Sequence, residues 1–476
     1  MKFKKIVIVL SLALTFFNTV SAQEFSSDVV KQDCNKKHYI LAAGGVLAVN
    51  GVIGSWNRFV SRAPWAKVSF NDLKDPWDKE VKFDRDWYWT NFVLHPYQGG
   101  LYYLAARNAN LNLYESLLYA GAGSLMWEYW WETNAPSIND LVYTPVGGMV
   151  TGEMLYRLSL EAQGKKHGIL SFMANPTRLY SDFVQGHGPS GPTGMLEDCS
   201  LKTFMGMSLA TSRADGDTLN EVFPFFGGIE FRAIYADPYG HDSNDPYSQF
   251  YFEFGAAGGK GSGEYVECNK CTFMSDIHIF SDGMLISRAP DFGENVDTTF
   301  GICMEYDFIW SSFIELSSLA PGIAFKQRFN NGDSWKAYQV RLSGVIMGTS
   351  DYYYLRRAED VGDINTYRDY GYTTGAELVT KLAAGKKNGL EFDWTVHGYA
   401  YWKYPGQQQK HNGKDFDDTG WEFMGFSDVS LELPLSKTVN LGLADELYFK
   451  KAVYDEVPDM WQVYNAINVY ARFKFM

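Results

Sequence analysis

The sequence is poor in cysteine, poor in positive charge and almost without long apolar runs, and each shortage removes a class of protein. It has five cysteines in 476 residues: Cys34, Cys199, Cys268, Cys271 and Cys303. An odd count leaves at least one thiol unpaired within the chain. Cys268-Asn269-Lys270-Cys271 has half the spacing of a zinc ribbon, but no second pair follows, so a local loop disulfide is expected rather than a metal. Lys and Arg number 42 against 56 Asp and Glu, a formal net charge of −14. Without a basic face, no nucleic-acid partner is expected. The apolar run Ile6 to Phe17 is too short to cross a membrane, which takes roughly 20 residues. Lys2, Lys4 and Lys5 precede it and Val20-Ser21-Ala22 follows, the three parts of a secretory signal cut before Gln23. No Cys follows the cut, so a lipoprotein anchor is not expected.

Aromatic residues, in contrast, are abundant. They make up 16% of the chain, as 31 Tyr, 33 Phe and 14 Trp. Soluble domains do not need so many, whereas membrane barrels carry aromatic girdles at both interfaces. The pattern along the chain divides accordingly. Residues 1–22 read as signal and 23–37 as a flexible tail. Residues 38–167 read as a helical domain. Within it His38 to Arg62 is apolar but interrupted by glycines, and Pro64 to Trp89 looks like an irregular surface segment. Pro96 suits a first helical turn, Tyr114 to Thr133 is a long apolar helix, and Pro145 opens another. Gly148 and Gly152 share one face of that last helix, a spacing that lets helices approach closely. Residues 168–198 read as a linker.

From 199 to 476 the period changes to two. Phe250, Phe252 and Phe254 alternate with Gln249, Tyr251 and Glu253. Leu390, Phe392, Trp394 and Val396 do the same, as do Val429, Leu431 and Leu433, and Ile467, Val469, Ala471, Phe473 and Phe475. A β-sandwich also alternates. These segments, however, reach the length of a tilted membrane strand, with aromatics near their ends. The last of them resembles the C-terminal strand by which outer-membrane barrels are recognised for assembly, although Met476, not an aromatic, stands last. At roughly 23 residues per strand and connection the region holds about twelve strands. The fold class expected is therefore α+β: an N-terminal helical bundle followed by a transmembrane antiparallel β-barrel. Its partners would be outer-membrane lipid and the barrel assembly machinery. Gly255 to Gly263 lacks the Walker spacing and reads as a hairpin loop.

The candidate chemistry lies in the helical part. Ser124, Glu128 and Glu132 recur every four residues and so share a helix face, beside Trp127, Trp130 and Trp131. Carboxylates in such surroundings are costly unless paired, protonated or metal-bound. Ser137 and Asp140 follow at a turn, Glu153 and Arg157 stand four apart on the next helix, and His95 and Arg107 flank the earlier one. Each has a plain structural role open to it. Glu153 and Arg157 suit a helix salt bridge, Ser137 or Asp140 a cap or turn, and Glu128 a buried packing network. If the cluster is structural, Arg107 and Arg157 would neutralise two of the acids.

The segments His95-Pro96-Tyr97-Gln98-Gly99-Gly100, Ala106-Arg107, Ser124-Leu125-Met126-Trp127-Glu128 and Pro136-Ser137-Ile138-Asn139-Asp140-Leu141 occur in this order. They are followed by Thr144-Pro145-Val146-Gly147-Gly148, Gly152-Glu153 and Asn175-Pro176-Thr177-Arg178. Over roughly residues 85 to 180 the chain resembles the bacterial domain-of-unknown-function family numbered 3943. The resemblance implies a bacterial envelope protein and brings no activity, cofactor or metal with it. Two functions stay open: a structural, anchoring or transport barrel with a periplasmic helical domain, or an envelope enzyme acting on lipid or cell-wall material through the acidic-histidine cluster.

Overall fold

The computed structural model describes residues 36–72, 74, 77, 79–164, 167–185, 194–262, 273–356, 369–407, 409–411, 414–416 and 419–475. The expected signal, nearly all of the tail, the Gly186 to Pro192 stretch and the Cys268–Cys271 pair lie outside the described residues. Helices come first: α1 (Tyr39–Ser55), α2 (His95–Asn108), α3 (Leu113–Met126), α4 (Ile138–Val142), α5 (Gly148–Gly164), α6 (Gly168–Ala174) and α7 (Arg178–Gln185). The expected linker thus holds two short helices. A capping box, Asn112 with Glu115, starts α3.

Strands follow: β1 (Leu196–Ala214), β2 (Asp217–Tyr235), β3 (Phe250–Ser262), β4 (Phe273–Arg288), β5 (Val296–Ser311), β6 (Glu315–Asn331) and β7 (Ser334–Asp351). Then come β8 (Tyr370–Lys386), β9 (Glu391–Lys403), the small hairpin β10 (Gln409–His411) and β11 (Lys414–Phe416), and β12 (Trp421–Pro434), β13 (Val439–Val453) and β14 (Met460–Lys474). All but the small hairpin join one closed barrel of antiparallel neighbours, sealed by β1 against β14. The glycine-rich stretch after Phe254, expected as a hairpin loop, continues β3 to Ser262. Glycine there serves close packing: a Cβ on Gly259 would lie 2.5 Å from the Phe225 carbonyl oxygen.

Alternation sorts the wall. On β1, Met205, Met207 and Leu209 are exposed while Ser208 and Ala210 are buried. On β13, Leu441, Leu443, Leu447 and Phe449 face out while Tyr448 and Lys450 face in. On β13 a carboxylate interrupts these apolar positions. Asp445, exposed between Leu443 and Leu447, accepts a 2.7 Å hydrogen bond from Asn465 Nδ2 on the neighbouring strand.

The interior is filled by the barrel's own side chains in charged tiers. Lys202 pairs with Glu230, and Arg472 with Glu432 at 2.9 Å. Midway, Asp282 meets Lys326 at 3.1 Å and Arg341 at 3.3 Å, while Arg341 also holds Glu305 at 3.0 Å. Tyr399 of β9 donates across the lumen to Asp307 of β5 at 2.7 Å. Toward the opposite rim Lys403 pairs with Glu422 at 2.9 Å and Lys450 with Asp351 at 3.1 Å. Lys450 and Glu422 have 0% exposed side chains, so the described residues shut both off from water.

The helices are not a separate domain; they lie against the outside of this wall. On β5, Phe300 and Ile302 are exposed, but Met304, Tyr306 and Phe308, on the same outward face, are buried. The bundle covers them. Tyr306 OH donates to the Phe92 carbonyl, Tyr88 OH to that of Ile309 at 3.1 Å, and Tyr143 OH to that of Met347 at 2.8 Å. Phe83 stacks on Tyr372 with ring centroids 4.8 Å apart. The Pro64–Trp89 segment, expected at the surface, therefore supplies part of the docking face through Phe83 and Tyr88. At the other end Arg157 Nη2 reaches Asp245 Oδ2 at 2.8 Å, in the loop between β2 and β3. The bundle so runs obliquely from the rim where β1 begins to the opposite, distal rim.

Its helices approach closely where glycines permit. A Cβ on Gly99 would sit 1.6 Å from the Thr144 carbonyl oxygen, and one on Gly148 2.3 Å from the Gly99 carbonyl carbon. The bundle's outer surface is itself apolar: Ile40 and Phe183 are each 90% exposed. The 22 residues Tyr39–Val60, of mean hydropathy 1.5, are long and apolar enough to cross a membrane.

Candidate functional site

The nine polar residues singled out in the sequence fall at opposite ends of the bundle. His95, Ser124, Glu128, Glu132, Ser137 and Asp140 gather at the distal rim. Arg107, Glu153 and Arg157 gather at the other, separated from them by the length of α2, about 20 Å.

At the distal end α3 stops in a wide helical turn over Trp127–Trp131, and the chain folds back at Pro136 to start α4. The return brings Ser137 N to Glu128 Oε2 at 2.8 Å and the Asp140 carbonyl to Ser124 Oγ at 3.2 Å. Asp140 Oδ1 accepts from Asn139 Nδ2 at 2.9 Å, and Oδ2 lies 3.6 Å from His95 Nε2. His95 Nδ1 faces Thr144 Oγ1 at 3.4 Å. Glu132 accepts from Trp127 Nε1. Sequence reasoning missed Asp84 and the two residues that donate to its carboxylate, Asn91 and Tyr372. Asp84 accepts from Asn91 Nδ2 at 2.7 Å and from Tyr372 OH at 2.9 Å, and its amide donates to Asn139 Oδ1 at 3.2 Å. The signal available for Asp84 was a pair of acids, Asp84 and Asp86, set immediately before Trp87-Tyr88-Trp89.

This end lies beyond the lipid-facing rows. Tyr370 and Tyr372 stand past Thr374, which pairs with Trp402 of the exposed Trp402–Trp421 contact. Burial pushes the Glu128 carboxyl up to about 9, helped by the charge of Glu132, and pushes Glu132 up to about 8. Burial and then Asp84 raise Asp140 well above the carboxylate range. Burial opposes ionisation of Asp84 as well, but hydrogen bonds from Asp140 and Asn139 bring it below its ordinary value. Burial lowers His95 to about 4, so its ring is neutral. Among the described residues neither Glu128 nor Asp140 pairs with a Lys or Arg; the charge-capable neighbour of Asp140 is His95.

The other end is the opposite case. Glu153, 0% exposed, accepts from Arg107 Nε at 2.7 Å, Arg157 Nε at 2.9 Å and Tyr103 OH at 2.7 Å. The two arginines expected to neutralise two acids thus both serve one, and the Glu153–Arg157 helix pair forms as the spacing requires. Both guanidinium groups of this clamp are turned on one carboxylate. The distal group can do more: one imidazole nitrogen and two carboxylates converge with atoms to spare, a set that could share protons or hold a metal.

The closed antiparallel sheet, apolar outer belt and polar interior define a β-barrel of the outer-membrane class. Residues 80–179 match the family model described as Domain of unknown function (DUF3943), a segment that takes in both polar groups. No curated protein matches the chain. Among solved structures it is similar to the COG4313 outer membrane channel from Pseudomonas putida F1, with 9% identity over 60% of this chain and 100% of that one and a TM-score of 0.31. It is also similar to the outer membrane protease OmpT from Escherichia coli, with 7% identity over 59% of this chain and 97% of that one and a TM-score of 0.26. For the P. putida toluene transporter TodX the values are 8%, 58%, 90% and 0.25. At such identities the likeness is one of fold alone.

Proposed function

We propose that this protein is a sealed outer-membrane barrel with an anchoring role, holding the helical bundle against its lipid-facing wall and passing no solute through its lumen. The observation that carries this reading is the fully buried tier of Lys403, Glu422, Lys450 and Asp351, whose charges are spent on one another across the interior. The longer connections, 352–369 and 404–420, lie at the distal rim, which supports a periplasmic position for the rim where β1 begins. The apolar outer face of the bundle supports contact with outer-membrane lipid, rather than the free periplasmic domain expected from the sequence. The outward apolar residues of β14 support insertion by the barrel assembly machinery.

Purified protein in planar bilayers should give no conductance steps, and steady ion conductance would refute the sealed lumen. A cysteine placed at Phe183 or Leu118, in a chain lacking other cysteines, should resist a water-soluble maleimide in intact membranes. Ready labelling would favour a periplasmic bundle instead. The second reading, an envelope enzyme, is favoured by one feature, the cation-free acids around His95. It requires that Glu128→Gln keep the fold and abolish the envelope phenotype; full complementation by that variant would remove it.

A further inference from the structure

We propose that His95, Glu128 and Asp140 form a binding site for one divalent transition-metal ion, of the kind zinc represents, at the distal end of the helical bundle. One ligand atom from each of the three lies within 4.8 Å of the other two, and all three residues are buried. A nitrogen and two carboxylate oxygens suit a borderline ion bound at about 2.0–2.2 Å, with a fourth position open to water.

Three further features separate this group from a chance gathering of acids. The His95 residue is 6% exposed, and among the described residues its Nε2 stands nearest Asp140 Oδ2, at 3.6 Å, beyond hydrogen-bond length. A ring nitrogen of a buried histidine set at that distance from a carboxylate leaves room for an ion between them. The other atoms are held as the supports of a metal site are held: His95 Nδ1 faces Thr144, Asp140 Oδ1 is fixed by Asn139, and Glu128 Oε2 by the Ser137 amide. Finally, the same bundle shows how it treats a purely structural buried acid, by giving Glu153 two guanidinium groups. At Glu128 and Asp140 it supplies an imidazole and, among the described residues, no guanidinium or ammonium group.

Two comparable gatherings inside the barrel are already occupied. His278 is paired with Asp276 at 3.1 Å and Glu253 at 3.7 Å, and Glu230 with Lys202. His397 and Tyr399 both converge on Asp307, at 3.6 and 2.7 Å.

The test is metal content of the full chain in detergent, stripped with a chelator, reloaded with zinc and freed of excess. About one zinc per chain is expected, with a raised melting temperature, because a metal that binds the folded state stabilises it. His95→Ala and Glu128→Gln should each lose most of the bound zinc while keeping the unboiled gel mobility of the folded barrel. His278→Ala and His397→Ala should keep it. If His95→Ala does not fold, His95→Gln retains the ring's approximate volume and serves in its place. The proposal is overturned if the reloaded protein holds no stoichiometric zinc, if folded His95 variants hold as much as the parent, or if the loss follows His278 or His397.

Discussion

Glu153→Gln tests the clamp that fixes the bundle's inner end. The substitution keeps shape and removes charge. It leaves Arg107 and Arg157 converging on an amide, one of whose two ends is now a donor facing donors. In the parent the carboxylate takes bonds from Arg107 at 2.7 and 3.1 Å, from Arg157 at 2.9 Å and from Tyr103 at 2.7 Å. Breaking one partner of a buried ion pair costs about 3–5 kcal/mol. For a unit the size of this bundle that is a fall in melting temperature of roughly 10–15 °C. Tryptophan fluorescence is the assay, since Trp89, Trp127, Trp130 and Trp131 all report on the bundle, while gel mobility reports on the barrel. The bundle transition should move and the barrel band should not. Replacing all three charged residues by Met should recover much of the loss, because a buried ion network exchanged for apolar groups of similar volume is often neutral. The reasoning fails if Glu153→Gln melts within about 2 °C of the parent, a shift worth less than about 1 kcal/mol, or if the Met variant is the less stable of the two.

Other outcomes follow from the same structure. Gly99→Val places atoms where the Thr144 carbonyl stands, so α2 should separate from the turn before α5, and limited proteolysis should then cut within 143–147 in the variant only. Tyr372→Phe removes a bond to Asp84 and should lower the bundle's melting by about 1 kcal/mol without touching the barrel. Asp445→Leu removes a carboxylate from the apolar belt and should make the folded barrel persist to higher temperature on unboiled gels; a lower temperature would mean that the bond from Asn465 outweighs the cost of the carboxylate there.

The barrel was legible because its signal is local. A period of two, repeated over strands such as Val439–Val453, needs only one polar and one apolar face to be read. The bundle's position was not legible, because Tyr306 and Phe308 alternate just as Phe300 and Ile302 do; which outward aromatics meet lipid and which meet helices depends on a partner more than two hundred residues away. Helix spacing put Ser124, Glu128 and Glu132 on one face, and the turn at Pro136 brought Asp140 beside them. Spacing also drew in Arg107 and Glu153, since residues at opposite ends of one helix look equally eligible in a sequence. Asp84 went unread because an irregular segment has no period to reveal the direction of its side chains.

The tyrosines that receive the bundle set an order of events. Helices α1 to α5 precede Tyr306, Met347, Tyr370 and Tyr372 in the chain and so are made first, since synthesis runs from the N-terminus. Phe92, Tyr88 and Tyr143 then have no surface to dock on until β5 to β8 stand side by side. During that interval the apolar side chains of the bundle lack the surface that later covers them. Maturation thus runs against the direction of synthesis: the last part to emerge folds first, and the first part waits for it.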